Sequence, residues 1–237
     1  MRKKLLPQEV LKLIACITML IDHFGYAIVP RLAIANVEVI CYICRSIGRL
    51  SFPIYCFLLA EGMRHTHNPG KYILRLAIGI LLAELPYDLM CYGEFNWVSQ
   101  NVMATLTLGA VMLLCMQKTQ KSWLKVILIL PFALLADLTK SNYGASGIVM
   151  IAVFGLFDQP LLQTVALFMV NWQLLPSAGV IIFGVILRIQ LLATLAMVPI
   201  GLYSGKKLTH NKVLQWGFYL FYPVHLLILW VILRCMM

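Results

Sequence analysis

The sequence predicts an all-α polytopic membrane protein, a helix bundle with about nine transmembrane spans. Of its 237 residues, 62% are hydrophobic and only 12% are charged, and the mean hydropathy is +0.88. A soluble domain is roughly 25% charged. The apolar residues form runs of roughly 17–25, which suits membrane-spanning helices rather than the ~10-residue alternating strands of a barrel.

Taken in order, the apolar runs predict clear spans over residues 10–29, 37–62, 72–92, 102–116, 124–137 and 213–233. Between residues 145 and 204, polar interruptions at 158–160, 171–177 and 188–190 leave three short or bent spans. Nine spans result, and eight or ten stay open because a break such as Arg188 has two interpretations. No linker, repeat or soluble segment divides the chain, so residues 1–237 are predicted to be a single integral membrane domain.

Basic residues predict the orientation. The three residues after Met1 are basic, and most other loop Lys and Arg fall on the same side of the membrane. The opposite side is predicted to hold only Arg31, Lys140 and Arg234. Because short cytoplasmic loops are enriched in Lys and Arg, we expect a cytoplasmic N-terminus. Topology therefore explains the net charge of +10, and we expect the lipid bilayer as a partner and no nucleic acid.

The first span carries three ionisable residues, Lys12, Asp22 and His23. An ionisable group facing lipid costs roughly 2.5 kcal/mol or more, so these side chains must face protein or a wet cavity. Lys12 and His23 share one helix face, about 16 Å apart along the axis. Asp22 points about 100° away from His23, so we expect each to have its partner on another helix.

Four polar residues from four spans fall near the middle of the bilayer, counted inward at about 1.5 Å per residue. They are His23, Arg49, Glu84 and His225. Two imidazoles, a guanidinium and a carboxylate at one depth are costly unless they meet. Such a meeting suits acid–base chemistry or a proton path.

Structural roles for these residues stay open. Arg45 and Arg49 lie one helical turn apart and could form ion pairs with a carboxylate from the set Asp22, Glu84 and Asp88. His225 lies beside Pro223 and could bond a carbonyl that the proline deprives of its helical donor.

A second basic group lies in the predicted cytoplasmic loops: Arg64, Lys71, Arg75, Lys118, Lys121 and Lys125. Such a surface could hold a phosphorylated ligand, although loops of this composition are ordinary in multi-span proteins.

The seven cysteines are expected to be small apolar membrane residues. The Cys41–Cys44 pair lacks a second pair or a nearby His, so no metal site is predicted.

Several motifs together resemble the TraX family. They are residues 13–25 with the Asp22-His23 pair, residues 48–62 with Arg49, the loop from His65 to Arg75, and the string from Phe221 to His225. The resemblance covers nearly the whole chain. It implies a multi-span acetyltransferase of the bacterial inner membrane, like the founding member, which N-acetylates the first residue of conjugative pilin.

The chain also distantly resembles the acyltransferase-three superfamily, whose first helix carries an Arg, ten further residues and a catalytic His. Lys12 occupies the position of that Arg, so the positive charge is kept without the bidentate guanidinium. A second departure is Ser204, which stands where the TraX family pattern has Asn.

Resemblance and residues together predict an O- or N-acetyltransferase that takes acetyl from cytoplasmic acetyl-CoA. His23 would be the base or an acyl carrier, and Arg49 would stabilise the oxyanion. Asp22 or Glu84 would orient a His or Arg, and His225 would be a reserve base. Acetyl-CoA would contact the following side chains: Lys12, Arg45, Arg64, Lys71, Arg75 and Tyr222.

The acceptor class stays open at this point: the N-terminus of a pilin-like peptide, another peptide, a glycan or a lipid. Two other classes of function also stay open. A proton-coupled transporter would use the buried charges as a relay, although the sequence shows no inverted repeat. A non-catalytic conjugation or pilus assembly protein would use these charges only for stability or partner retention.

Overall fold

The computed structural model describes residues 5–173, 179–182, 185–209 and 211–236. Its α-helices are α1 (Gln8–Ala27), α2 (Val37–Gly48), α3 (Ser51–His65), α4 (Pro69–Tyr92), α5 (Val102–Lys118), α6 (Ser122–Ile127), α7 (Ile129–Leu138), α8 (Gly144–Leu156), α9 (Pro160–Gln173), α10 (Met197–Gly201) and α11 (Lys212–Met236). Short 3-10 helices cover Val29–Arg31 and Ile189–Ala196. The basic residues 2–4 lie outside the described residues.

A short antiparallel hairpin adds β1 (Gly179–Ile182) and β2 (Val185–Arg188), with Gly179 opposite Arg188. It occupies part of the stretch for which three short or bent spans were predicted. The remainder of that stretch holds α8, α9, the second 3-10 helix and α10. The predicted helical class is therefore confirmed, and this hairpin is an addition that the predicted bundle did not contain.

Three helical stretches of the described chain are long and apolar enough to cross a membrane: Gln8–Arg31, Val37–His65 and Val213–Met236. Four apolar helices are shorter: Val102–Lys118, Gly144–Leu156, Pro160–Trp172 and Ile189–Gly201. Helix α4 has 24 residues with Pro86 inside it, and it includes four charged side chains. The protein is a helical membrane protein, while the count of nine spans and the cytoplasmic N-terminus stay predictions.

The chain forms two compact units. Unit 1 comprises Met1–Tyr55, Pro86–Phe95 and Pro176–Met237, and unit 2 comprises Cys56–Leu85 and Asn96–Leu175. Boundaries fall inside α3 and α4, so neither unit is one continuous stretch of sequence. The single membrane domain stays a prediction.

In unit 1, α1 packs antiparallel against α2 at two glycines. A Cβ added to Gly25 would overlap Cys44, and one added to Gly48 would overlap Asp22. Closer to the start of α1, the carbonyl of Ala15 accepts a 3.1 Å hydrogen bond from the hydroxyl of Ser51, the first residue of α3. The two helices approach closely because neither glycine has a side chain at these contacts.

Helices α1 and α11 run in the same direction. Lys12 lies against Phe218, and farther along both helices His23 meets His225. Near the start of α1, Glu9 Oε2 accepts a 2.8 Å bond from the amide of Leu208, in the segment that precedes α11. Consecutive spans alternate in direction, so the first and last spans run in the same direction when an odd number of spans lies between them.

In unit 2, α8 packs against α5, α7 and α9. Its side chains Ile148, Ile151 and Phe154 are fully buried. Gly109 on α5 leaves the space that Ile151 fills. Between helices in a bilayer, close packing of this kind stabilises the unit through van der Waals contacts.

Candidate functional site

The chain turns between α2 and α3 at Arg49 and Leu50. Their amides donate to carbonyls three residues back, Arg49 to Ser46 at 3.3 Å and Leu50 to Ile47 at 3.2 Å. This 3-10 turn interrupts the α-helical bonding inside the predicted second span. The interruption places the Arg49 side chain at a helix end, where its Nε donates to the carbonyl of Arg45 at 3.1 Å.

Both arginines of this helix end bind the same carboxylate. Arg45 Nη1 lies 2.8 Å from Asp22 Oδ2, and Arg49 Nη2 lies 2.7 Å from Asp22 Oδ1. The side chains of Asp22 and Arg49 are each 12% exposed, and that of Arg45 is 33% exposed. Of the three carboxylates predicted as possible partners of these arginines, Asp22 is therefore the one that both are observed to bind.

The Arg45–Asp22–Arg49 cluster, defined by these three side chains, carries one net positive charge because two guanidiniums share one carboxylate. Arg49 Nη1 also donates to Gln190 Oε1 at 3.4 Å, and Gln190 is 3% exposed. Asp22, which both guanidiniums bind, is the sequence neighbour of His23. Guanidinium groups that are fixed in a largely buried site are suited to stabilising a developing anion.

His23 meets His225 of α11. His23 Nδ1 lies 2.7 Å from His225 Nε2, and the two rings are 5.0 Å apart with planes at 17°. His225 is 4% exposed, whereas His23 is half-buried. The prediction that Asp22 and His23 each have a partner on another helix is confirmed.

The other ring nitrogen of His225 also has a partner, since Nδ1 lies 2.7 Å from the carbonyl oxygen of Phe221. That carbonyl lies one turn earlier on α11. Pro223 removes the helical donor to residue 219, not to Phe221, so the bonded carbonyl differs from the predicted one. His225 therefore links α1 to the backbone of α11.

Besides Arg45, two further predicted cofactor residues lie in unit 1, Tyr222 and Lys12. The Tyr222 ring is tilted against both imidazoles, with centroid distances of 6.4 Å to His23 and 5.8 Å to His225. Lys12 Nζ lies 5.3 Å from the centroid of the Phe218 ring. Lys12 and His23 thus both face α11, as their shared helix face predicted.

Glu84 belongs to unit 2, where it binds the start of α5. Its Oε2 accepts from the backbone amide of Asn101 at 3.3 Å and also from the Asn101 side-chain amide. Asn101 Oδ1 in turn accepts from the amide of Met103 at 2.9 Å and caps α5. Glu84 is 7% exposed and Asn101 is fully buried. This arrangement gives Glu84 a structural role, and its predicted part in catalysis stays a prediction.

The predicted loop cations also lie in unit 2. Arg64 pairs with Glu61 at 3.1 Å and Asp158 at 3.0 Å, and it donates to the Phe154 carbonyl at 2.6 Å. These contacts connect the end of α3 to the end of α8, and the two carboxylates compensate the charge of Arg64. Lys71 and Arg75 are exposed.

The sequence itself decides the family. The model of the family described as TraX protein matches residues 7–233. The chain belongs to the TraX family. The predicted resemblance is confirmed, and the matched range contains all the candidate site residues of both units.

Two curated proteins are similar to this TraX-family chain. A probable fimbrial assembly protein FimC, serogroup H1, from Dichelobacter nodosus is 29% identical over 92% of each chain. Protein TraX from Escherichia coli is 24% identical over 62% of this chain and 54% of its own length. No solved structure matches the chain.

Sequence reasoning missed three positions of this TraX-family site. Gln190 was noted only as an interruption of an apolar run, although a buried amide in such a run indicates a polar partner. Gly48 directly precedes Arg49, and its contact with Asp22 required knowledge of helix pairing. Phe221 contributes a backbone carbonyl, for which a side-chain pattern gives no signal.

Proposed function

We propose that this chain is a membrane-embedded acetyltransferase that moves an acetyl group from cytoplasmic acetyl-CoA to an amine or hydroxyl acceptor at or across the membrane. The observation that supports it is the His23–His225 hydrogen bond beside the Arg45–Asp22–Arg49 cluster. An imidazole next to two fixed guanidiniums combines a base with a site for an oxyanion. Acyl transfer from a thioester requires both groups.

In the proposed reaction, His23 takes the proton of the acceptor as its nitrogen or oxygen attacks the thioester carbon. Negative charge develops on the thioester oxygen, and the cluster stabilises it through Arg49, which three hydrogen bonds hold in place. The carbon–sulfur bond then breaks, and the proton held by His23 passes to the departing thiolate. General base catalysis and oxyanion stabilisation each contribute about 100-fold or more in rate.

Phosphate groups of acetyl-CoA need cations that are not already compensated. Arg45 is bound by Asp22, and Arg64 by Glu61 and Asp158. Lys12 in unit 1 is therefore the better candidate there, and Lys71 and Arg75 are the candidates in unit 2. Tyr222, against both imidazoles, would contact the acetyl end.

For the acceptor, we propose the N-terminus of a pilin-like peptide. The fimbrial assembly name of the Dichelobacter relative supports this choice, as does membership of the TraX family. The apolar helices and the basic loops support a multi-pass location in the bacterial inner membrane, with the N-terminus in the cytoplasm.

The test is transfer of radiolabelled acetyl from acetyl-CoA by nanodisc-reconstituted protein, with a crude cell-envelope fraction as acceptor. Wild type is compared with His23→Ala and with His67→Ala, an exposed histidine used as matched control. We expect label in a peptide fraction with wild type and His67→Ala and none with His23→Ala. Label that appears equally with His23→Ala contradicts the proposal, and label in glycan or lipid contradicts only the peptide acceptor.

A non-catalytic assembly protein is the second candidate, because the name of the Dichelobacter relative states assembly alone. It predicts that pilus formation survives His23→Gln in cells that contain normal amounts of the variant protein. The acetyltransferase predicts assembled but unacetylated pilin, or no pilus. A proton-coupled transporter instead predicts solute uptake by vesicles under a pH gradient without acetyl consumption.

A further inference from the structure

We infer that His225 is a positioning residue that fixes the tautomer of His23, so that the lone pair of His23 Nε2 is available to the acceptor. The inference rests on the proposed function for its consequence in catalysis. The tautomer itself follows from the hydrogen bonds and is measurable without any turnover.

The Phe221 carbonyl determines which nitrogen of His225 carries a hydrogen. A carbonyl oxygen only accepts, so the 2.7 Å contact with His225 Nδ1 requires a hydrogen on that nitrogen. A neutral imidazole carries one hydrogen. The other nitrogen of His225, Nε2, therefore has a lone pair and must act as the acceptor in its contact with His23.

The tautomer of His23 follows from that of His225. Its Nδ1 lies 2.7 Å from the bare Nε2 of His225, so Nδ1 carries the hydrogen and donates it. In a neutral His23 the remaining nitrogen, Nε2, holds the lone pair. A histidine oriented by a third group in this way is the arrangement that activates a nucleophile in many hydrolases and transferases.

The opposite arrangement needs an additional buried cation. If His225 carried hydrogens on both nitrogens, it would donate to His23 Nδ1 and force a hydrogen onto His23 Nε2. That imidazolium would be 4% exposed, and the carboxylate next to His23 in sequence is already shared by two arginines. An uncompensated buried charge is costly, so the neutral pair is the resting state.

The ring of His225 is held firmly enough to act as a template. It stacks on the Phe221 ring at 4.8 Å and 19°, and the Tyr222 ring lies against it at 5.8 Å. Since all three residues belong to α11, the helix presents the acceptor nitrogen in a fixed direction. His23 keeps partial exposure, which leaves an edge for the acceptor.

The direct test is nitrogen-15 NMR of histidine-labelled protein in nanodiscs, assigned with the single variants His23→Gln and His225→Gln. We expect a pyrrole-type Nδ1 and a pyridine-type Nε2 for His23 in the wild type. A protonated Nε2 on His23 in the wild type overturns the inference. This readout does not depend on acetyl transfer, so it survives failure of the proposed function.

Two variants test the consequence for catalysis. His225→Phe keeps a ring and removes the acceptor, whereas the side-chain oxygen of His225→Gln can accept from His23 Nδ1. We expect His225→Phe to lose the fixed tautomer and to lower acetyl transfer by about 10–100-fold, as loss of an orienting partner does. His225→Gln should keep part of the tautomer preference of His23 and part of the acetyl transfer.

A purely structural role predicts a different pattern. Both variants would then lose activity in proportion to lost folded protein, with the His23 tautomer unchanged, and that result overturns the inference. If His225→Phe does not fold, the wild-type spectrum still reports the tautomer of His23. The His225→Gln variant then still tests whether the acceptor at position 225 determines it. Retention of the tautomer in His225→Phe would equally refute a positioning role.

Discussion

Replacement of Asp22 by Asn tests the buried cluster most severely. The substitution keeps the shape of the side chain and removes the negative charge that two guanidiniums share at 2.7 and 2.8 Å. Arg49 is 12% exposed, so the substitution removes a carboxylate partner from a largely buried guanidinium. Removing one partner of a buried pair costs about 3–5 kcal/mol.

The two arginines should not be equivalent. Arg45→Gln leaves the more buried Arg49 pair intact and removes a side chain that is 33% exposed, so we expect a loss of about 1 kcal/mol or less. Arg49→Gln leaves Asp22 paired with Arg45, and we expect an intermediate loss of about 1–3 kcal/mol. The predicted order of destabilisation is Asp22→Asn, then Arg49→Gln, then Arg45→Gln.

The assay is unfolding by SDS titration in mixed micelles, followed by tryptophan fluorescence, with a double-mutant cycle for each arginine. The coupling free energy of the pair Asp22 and Arg49 should exceed that of Asp22 and Arg45. Equal couplings, or an Asp22→Asn variant as stable as wild type, would refute the description of a buried, charge-sharing cluster.

Further substitutions test the packing around both units. Gly48→Ala should destabilise by about 1–3 kcal/mol, because its Cβ would overlap Asp22, whereas Gly217→Ala has open space and should be neutral or stabilise α11 by up to about 1 kcal/mol. Unfolding midpoints check both, and a stabilising Gly48→Ala would contradict the contact. Glu84→Leu should cost about 1–3 kcal/mol because the buried backbone amide of Asn101 loses the carboxylate that accepts from it, and Glu84→Gln should cost less. A Glu84→Gln variant that folds normally yet loses all acetyl transfer would instead favour the predicted catalytic role.

Helical periodicity predicted which residues of a single helix share a face. The angle between neighbouring residues placed Asp22 and His23 on different faces, and the structure gives each a different partner helix. The shared face of Lys12 and His23 likewise became one contact surface toward α11. These relations depend only on local geometry, which the sequence determines.

Pairing between distant helices was not predictable in the same way. Depth counting placed His225 near the level of His23, but depth does not identify neighbours around a helix axis. The turn at Arg49 also escaped prediction: residues 37–62 were predicted to be one span, although Gly48 and Pro53, both unfavourable inside a helix, lie on either side of the turn. The hairpin of β1 and β2 is built from Val, Ile and Leu, which a buried helix uses equally well.

The most direct test of the acetyltransferase account separates binding from chemistry. Equilibrium binding of acetyl-CoA and single-turnover acetyl transfer are measured on the same nanodisc samples of wild type and His23→Ala. We expect acetyl-CoA binding by both proteins and transfer by the wild type alone, because His23 acts on the proton of the acceptor and does not hold the nucleotide. Transfer by His23→Ala at the wild-type rate, or a wild type that does not bind acetyl-CoA, would contradict it.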